Sequence, residues 1–313
     1  MTDLEAPVPY DATAERRSWN ELPRAAKDVV RREIGGEPVA VSRAGGGFTA
    51  GFAGLVTGPR RTLFVKVGQA DMPYVFDCCR REAVLNPALP EGVPAPRLLF
   101  AEEADDWIVL GFEPVEGKAL KLPLSETDWE QLLKSWAVAA ERLEPRPPGM
   151  ELLEPMEPDF LRHWSRSPTV RFEPAMRRAD ELAELESTVH EALAVDAVTH
   201  GDLRPDNMIL GDDGAWICDW TTMVAAAPWF DTACLLILAE GDGLDADAMF
   251  WAHPTSRGVS GGQLDAVLAG IIGYYLVKSE TPPFASGSSY IRPHQRWNGV
   301  AGFHWLARRR GWS

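Results

Sequence analysis

The sequence is poor in several features that would place a protein quickly. Cysteine is scarce, four in 313 residues with no C-x-x-C spacing, so neither a disulfide framework nor a thiolate zinc cage is indicated. Cys78 and Cys79 are adjacent, which suits neither chelation nor a relaxed disulfide; four reduced thiols in a cytoplasmic protein are the expectation. Basic residues are outnumbered. The 31 Lys and Arg against 46 Asp and Glu leave a net charge of −15, a surface that repels phosphate backbones and anionic lipid heads. That argues against nucleic-acid and membrane-surface partners and for cationic ones. No apolar run is long enough to span a bilayer: the best helical stretch, 264–277, is short and is interrupted by Asp265. The N-terminal Met1-Thr2-Asp3-Leu4-Glu5 is acidic and lacks the basic and apolar regions of a signal peptide. Repeats of fixed period and low-complexity linkers are also missing. With 45% hydrophobic residues the chain is not disordered, and its length exceeds one typical domain.

What is present falls into two textures. Residues 1–36 read as a polar, helix-prone lead-in. From 37 to 112 short β-like runs follow one another, and in 62–67 Leu63, Val65 and Val67 share one face while Phe64 and Lys66 take the other. A helix is expected over 74–85. Strands over 97–101 and 107–112 flank the acidic turn 102–106. Beyond 113 the pattern is mostly helical, with candidates at 126–144, 158–163, 174–193, 261–278 and 292–310. One β interruption, 207–210 and 215–219, is joined by Gly211-Asp212-Asp213-Gly214. The expectation is an N-terminal lobe over 1–112 and a larger helical lobe over 113–313. Acids and bases nearly balance in the first, 16 to 13, whereas the second carries 30 acids against 18 bases.

The segment Val198-Thr199-His200-Gly201-Asp202-Leu203-Arg204-Pro205-Asp206-Asn207 carries the chemistry. A loop here presents one carboxylate, Asp202, to an incoming hydroxyl. The hairpin that follows brings Asn207 and Asp219 to a common point, and two hard oxygen ligands suit Mg²⁺ carried by nucleotide phosphates. A lone His-Gly-Asp is equally a turn; the hairpin spacing and the second Asp weigh against that reading.

His200-Gly201-Asp202, Asn207 and Cys218-Asp219-Trp220 together resemble the aminoglycoside phosphotransferase family, small-molecule relatives of the protein kinases. The resemblance implies an α+β, two-lobed protein-kinase-like fold, with a small antiparallel sheet in the first lobe and a larger, mostly helical second lobe. It implies ATP or GTP as phosphoryl donor, Mg²⁺, and transfer to the hydroxyl of a small molecule, aminoglycoside-like or another natural product. By the same resemblance Asp202 is the catalytic carboxylate and Asn207 and Asp219 hold the metal. His200 supports the loop, and Asp231 is the buried brace, although an N-cap for the helix beginning at Thr232 is as natural. Lys66 and Glu82 correspond to the kinase Lys–Glu pair. Taken alone, Lys66 is an exposed strand lysine and Glu82 a surface partner of Arg80 or Arg81.

The glycine-rich Ala44-Gly45-Gly46-Gly47-Phe48-Thr49 is neither G-x-G-x-x-G nor a Walker A sequence, and three glycines also make a plain turn. Gly46, Gly47 and Thr49 are its candidates for phosphate contact. Acids between Glu240 and Asp247 suit either a cationic acceptor or a solvated loop. Peptide Ser or Thr and other metabolites are alternative acceptors. A pseudokinase scaffold is the alternative of another class, although the Lys, the loop Asp and the metal Asp are all in place. A protein kinase is disfavoured, since no D-F-G and no A-P-E follow.

Overall fold

The computed structural model describes residues 4–151, 153–166 and 168–312, so the first three residues of the acidic N-terminus lie outside it. Five strands, β1 (Ala40–Arg43), β2 (Phe52–Thr57), β3 (Thr62–Gln69), β4 (Leu98–Ala104) and β5 (Trp107–Phe112), form one antiparallel sheet in the order β1-β2-β3-β5-β4. The alternation in β3 has the consequence expected of it. Leu63, Val65 and Val67 pack with Val56, Val109 and helix α1 (Arg24–Ile34) through Ala26, Val29, Val30 and Ile34. On the opposite face Phe64 joins Ile108, Leu110 and Phe112 against Phe76 and Cys79 of helix α2 (Pro73–Leu85). Both faces of the sheet are therefore covered, and all six residues of β5 are buried.

The second lobe is mostly helical: α3 (Glu126–Leu143), α4 (Glu173–Met176), α5 (Ala179–Glu186), α6 (Val189–Leu193), α7 (Trp229–Gly241), α8 (Ala246–Ala252), α9 (Gly261–Ser279) and α10 (Ile291–Arg310). Helix α7 is buried from Trp229 to Glu240, as the central element of such a lobe must be. Two small antiparallel pieces carry the site: β6 (Lys118–Ala119) with the hairpin β8 (Met208–Leu210) and β9 (Ala215–Ile217), and β7 (Val198–Thr199) paired with β10 (Val224–Ala225). Four of the tryptophans, Trp129, Trp136, Trp220 and Trp305, are fully buried core residues. No helix among the described residues is long and apolar enough to cross a membrane.

Three expectations need correction. Among the described residues of the lead-in, 4–36, helix occurs only at the 3₁₀ turn Trp19–Glu21 and in α1. Residues 4–18, broken by Pro7 and Pro9, instead form an irregular strap. It sends Val8 and Tyr10 into the hydrophobic cluster of the large lobe, together with Phe48 of the glycine-rich loop. The helix expected over 174–193 is three short ones. One break is explained: the hydroxyls of Ser187 and Thr188 turn back onto the carbonyls of Glu184 and Leu185. The helix expected over 158–163 is the 3₁₀ turn Pro158–Leu161.

Candidate active site

Strand β3 puts Lys66 on the face that looks at α2, and one turn-length of side chain is enough to reach across. Its Nζ donates to Glu82 Oε2 at 2.6 Å and to Asp219 Oδ1, in the other lobe, at 3.0 Å. Glu82 is 2% exposed. The surface alternatives for Glu82 are otherwise engaged: Arg80 pairs with Glu103, and Arg81 donates to the Met223 carbonyl at 3.2 Å. Burial alone would drive the ammonium of Lys66 toward neutrality, but Asp219 and Glu82 outweigh it and hold its pKa above the usual lysine value. Burial pushes the Glu82 carboxyl up to about 7, against the pull of Lys66.

The turn that carries Asp202 is braced from below. Asp231 lies in the first turn of α7 and does not cap it; the N-cap position is Pro228. Its carboxylate accepts from the Thr199 hydroxyl, from His200 N at 2.6 Å and from Gly201 N at 3.0 Å. Gly201 has φ +81°, and a Cβ there would lie 2.4 Å from the Thr222 carbonyl, so only glycine fits. The His200 ring accepts from Asp202 N through Nδ1 (3.3 Å) and donates from Nε2 to the Cys218 carbonyl (3.0 Å). Burial pushes its pKa down to about 4, so the ring is a neutral spacer between the two strand ends.

Asn207 stands beside Asp202: its Nδ2 donates to the Asp202 carbonyl at 2.8 Å and lies 3.3 Å from Oδ2. With the nitrogen committed, the amide oxygen is turned the other way. Cys218 N donates to the Asn207 carbonyl at 2.8 Å, which sets Asp219 next to Asn207 across the hairpin. Asp219 has φ +64°, a left-handed conformation uncommon for a non-glycine residue, and it directs the carboxylate to Lys66. Its pKa is held below the usual carboxylate value because Lys66 overcomes the effect of burial. Thus Lys66, Glu82, Asp202, Asn207 and Asp219 converge from two lobes.

Residues 49–266, more than half of the chain, match the phosphotransferase enzyme family. The chain belongs to that family. Phosphoryl transfer is accordingly its reaction class, and its kinase-like fold recurs in solved structures. The phosphotransferase is similar to the microcompartment-associated aminopropanol kinase (14% identity, 91% of this chain and 97% of that one, TM-score 0.60). It is also similar to a choline/ethanolamine kinase family protein from Mesorhizobium loti (14%, 92% and 96%, TM-score 0.56). A third likeness is to spectinomycin phosphotransferase in complex with ADP and spectinomycin (12%, 84% and 92%, TM-score 0.54). A search of curated proteins returns no match.

The donor set of this phosphotransferase fits Mg²⁺. Among the described residues no three His, Cys, Asp or Glu side chains gather into a metal cage. Asn207 and Asp219 would offer two oxygen donors, the number that suits such an ion when nucleotide phosphates and water complete its shell. The acids between Glu240 and Asp247 are engaged structurally. Glu240 pairs with Arg308, Asp242 accepts from Leu124 N and Trp129 Nε1, Asp245 caps α8, and Asp247 pairs with Arg309.

Several residues of the site escaped the sequence reading. Arg204 forks onto Asp206 (Nε to Oδ1 3.0 Å, Nη2 to Oδ2 3.1 Å) and donates from Nη1 to the Asp202 carboxylate. Phe48 of the glycine-rich loop lies over the same guanidinium, 5.1 Å from ring centroid to Cζ. Burial pushes the Asp202 carboxyl up to about 7, while Arg204 pulls it the other way. The only available signal was the Arg-Pro-Asp spacing within the loop itself. Of the loop candidates, Gly46 lies against Asp206, Gly47 against Arg16, and Thr49 is bridged to Gly287 of the large lobe.

Proposed function

We propose that this protein moves the γ-phosphoryl group of ATP or GTP to the hydroxyl of a small molecule, with Mg²⁺. The observation that carries the proposal is the convergence of Asp202, Asn207 and Asp219 from the hairpin with the Lys66–Glu82 pair of the other lobe. Asp202 receives the acceptor proton; the acceptor oxygen then forms its bond to the γ-phosphorus as the bond to the β,γ-bridging oxygen breaks. The electron pair of the broken bond leaves with the nucleoside diphosphate, and the proton later passes from Asp202 to water. Lys66, oriented by Glu82, holds the phosphates, and Gly46, Gly47 and Thr49 cover them. Asn207 and Asp219 would hold the Mg²⁺, which neutralises charge on the phosphates when bound. His200 and Asp231 keep the Asp202 turn in place.

The acceptor class we infer is a small amine-bearing alcohol, aminoglycoside-like or simpler. The 30 acids against 18 bases of residues 113–313 favour a cation, and aminopropanol and spectinomycin are named for two similar structures. Asp202→Ala is expected to abolish transfer in a screen of hydroxylated amines for nucleoside diphosphate release, with nucleotide affinity kept within about threefold. Wild-type turnover by that variant would remove Asp202 from the reaction.

A further inference from the structure

Arg16, on the strap before the sheet, precedes the segment that matches the family. Its guanidinium sits inside the curve of the glycine-rich loop. Nη2 donates to the Gly46 carbonyl at 2.8 Å, Nε to Ala44 at 3.3 Å and Nη1 to Gly51 at 3.3 Å. It also occupies the space that a side chain at Gly47 would need: a Cβ there would lie 2.6 Å from Nη2, at φ +104°. A peptide unit is planar, with its C=O and N–H opposed. The carbonyl of Gly46 turned in toward Arg16 therefore turns the N–H of Gly47 out of the curve.

The charge of Arg16 is uncompensated at contact range. Its three hydrogen-bond partners are neutral carbonyls, and among the described residues no carboxylate forms an ion pair with it. Burial pulls its pKa down, while Asp219 and Asp206 act on it from farther off in the opposite sense. Arg16 is half-buried, and a cation partly withdrawn from water without an anionic partner is favoured by the arrival of an anion. The strap also fixes where the loop sits. The Tyr10 hydroxyl meets His294 Nδ1 at 2.7 Å, the Ser288 hydroxyl donates to the Thr13 carbonyl at 2.6 Å, and Ala50 N donates to the Ser286 carbonyl at 3.0 Å. The loop is thus held between the strap and the large lobe, over the catalytic turn.

We propose that Arg16 is a positioning residue for the nucleotide's phosphates: it sets the curve of the glycine-rich loop and supplies positive charge behind it. The inference rests on the nucleotide-binding reading above, and the experiment separates the two. Calorimetric titration of the full chain with nucleoside, monophosphate, diphosphate and triphosphate, in Mg²⁺ and in both the adenine and guanine series, measures the affinity gained per phosphate. Arg16→Ala should weaken diphosphate and triphosphate about tenfold or more and leave the nucleoside within about twofold. Arg16→Lys, which keeps the charge, should recover part of the loss, and Arg16→Gln, which keeps donors without charge, should recover less. These two variants also serve if the alanine variant does not fold.

A wild-type protein that binds none of the eight ligands would overturn the functional reading and this inference with it. A wild type that binds while the variants weaken every ligand equally, or none, would overturn the role of Arg16 alone.

Discussion

Replacing Asp231 with alanine tests how the reactive turn is held. The carboxylate is fully buried and accepts from three donors: the Thr199 hydroxyl and the amides of His200 and Gly201. In the alanine variant all three lose that partner, and the Thr199 hydroxyl and the His200 amide stay buried. Each unsatisfied donor costs about 1–3 kcal/mol, so even the low end approaches about 3 kcal/mol. That is a large part of the roughly 5–15 kcal/mol that holds a domain folded. If Asp231 served only as an acid in the first turn of α7, its loss would cost about 0.3–1 kcal/mol. The two readings are therefore well separated in urea unfolding, followed by fluorescence of the buried tryptophans. Asp231→Asn keeps one acceptor oxygen but sets an N–H₂ against an amide N–H, and it should fall between wild type and alanine. Because it leaves Lys66, Glu82 and Asp219 untouched, nucleotide affinity should survive in the Asn variant while kcat drops. An alanine variant with the wild-type unfolding midpoint and slope, or an Asn variant with wild-type kcat, would refute the brace.

Three further outcomes follow from the charges in the cleft. Lys66→Met should lower kcat/KM about 10²-fold, the scale of losing one preorganised electrostatic contact, with folding retained because Glu82 can take up a proton once unpaired; wild-type kcat/KM would disprove the role. Asp202 accepts a proton only when ionised. With its pKa raised to about 7, kcat/KM should fall as the pH drops below that value. His200, neutral above about 4, and Lys66, charged throughout, add no limb there. Glu82, also raised to about 7, titrates in the same window, so the Arg204 variant is what assigns the limb to Asp202. Arg204→Met removes the positive charge that favours the Asp202 carboxylate and should move the limb to higher pH; a limb near 4 in both proteins would contradict this electrostatic account.

The parts of the site that were legible in the sequence are those whose geometry is local. A two-residue period placed Lys66 opposite the buried Leu63, Val65 and Val67, and a hairpin of fixed length returned Asp219 to Asn207. Glu82 came from the resemblance to the kinase Lys–Glu pair, since its residues taken alone offered a surface ion pair with Arg80 or Arg81 instead. The texture of short strands and then helices gave the strand-rich and helical lobes, and the resemblance gave the kinase-like fold. The strap was not legible, because Tyr10 meets His294 across 284 residues and no periodicity encodes such a contact. Arg204 was passed over because a charge within a loop has no face to be assigned to. Its fork onto the fully buried Asp206 emerges only once the turn is folded.

The glycines show why composition alone could not settle the loop. Read as a sequence, 45–47 permits close backbone approach, which a phosphate would exploit. In the structure the protein itself uses much of that allowance. A Cβ on Gly45 would stand 2.1 Å from the Asp11 carbonyl, and one on Gly46 would stand 2.9 Å from that of Tyr10. The strap, rather than the absence of side chains, therefore determines which loop groups face the cleft. A glycine-rich turn specifies that something approaches closely on one side; here the carbonyls face Arg16, so the opposed amides are the groups left to meet an anion.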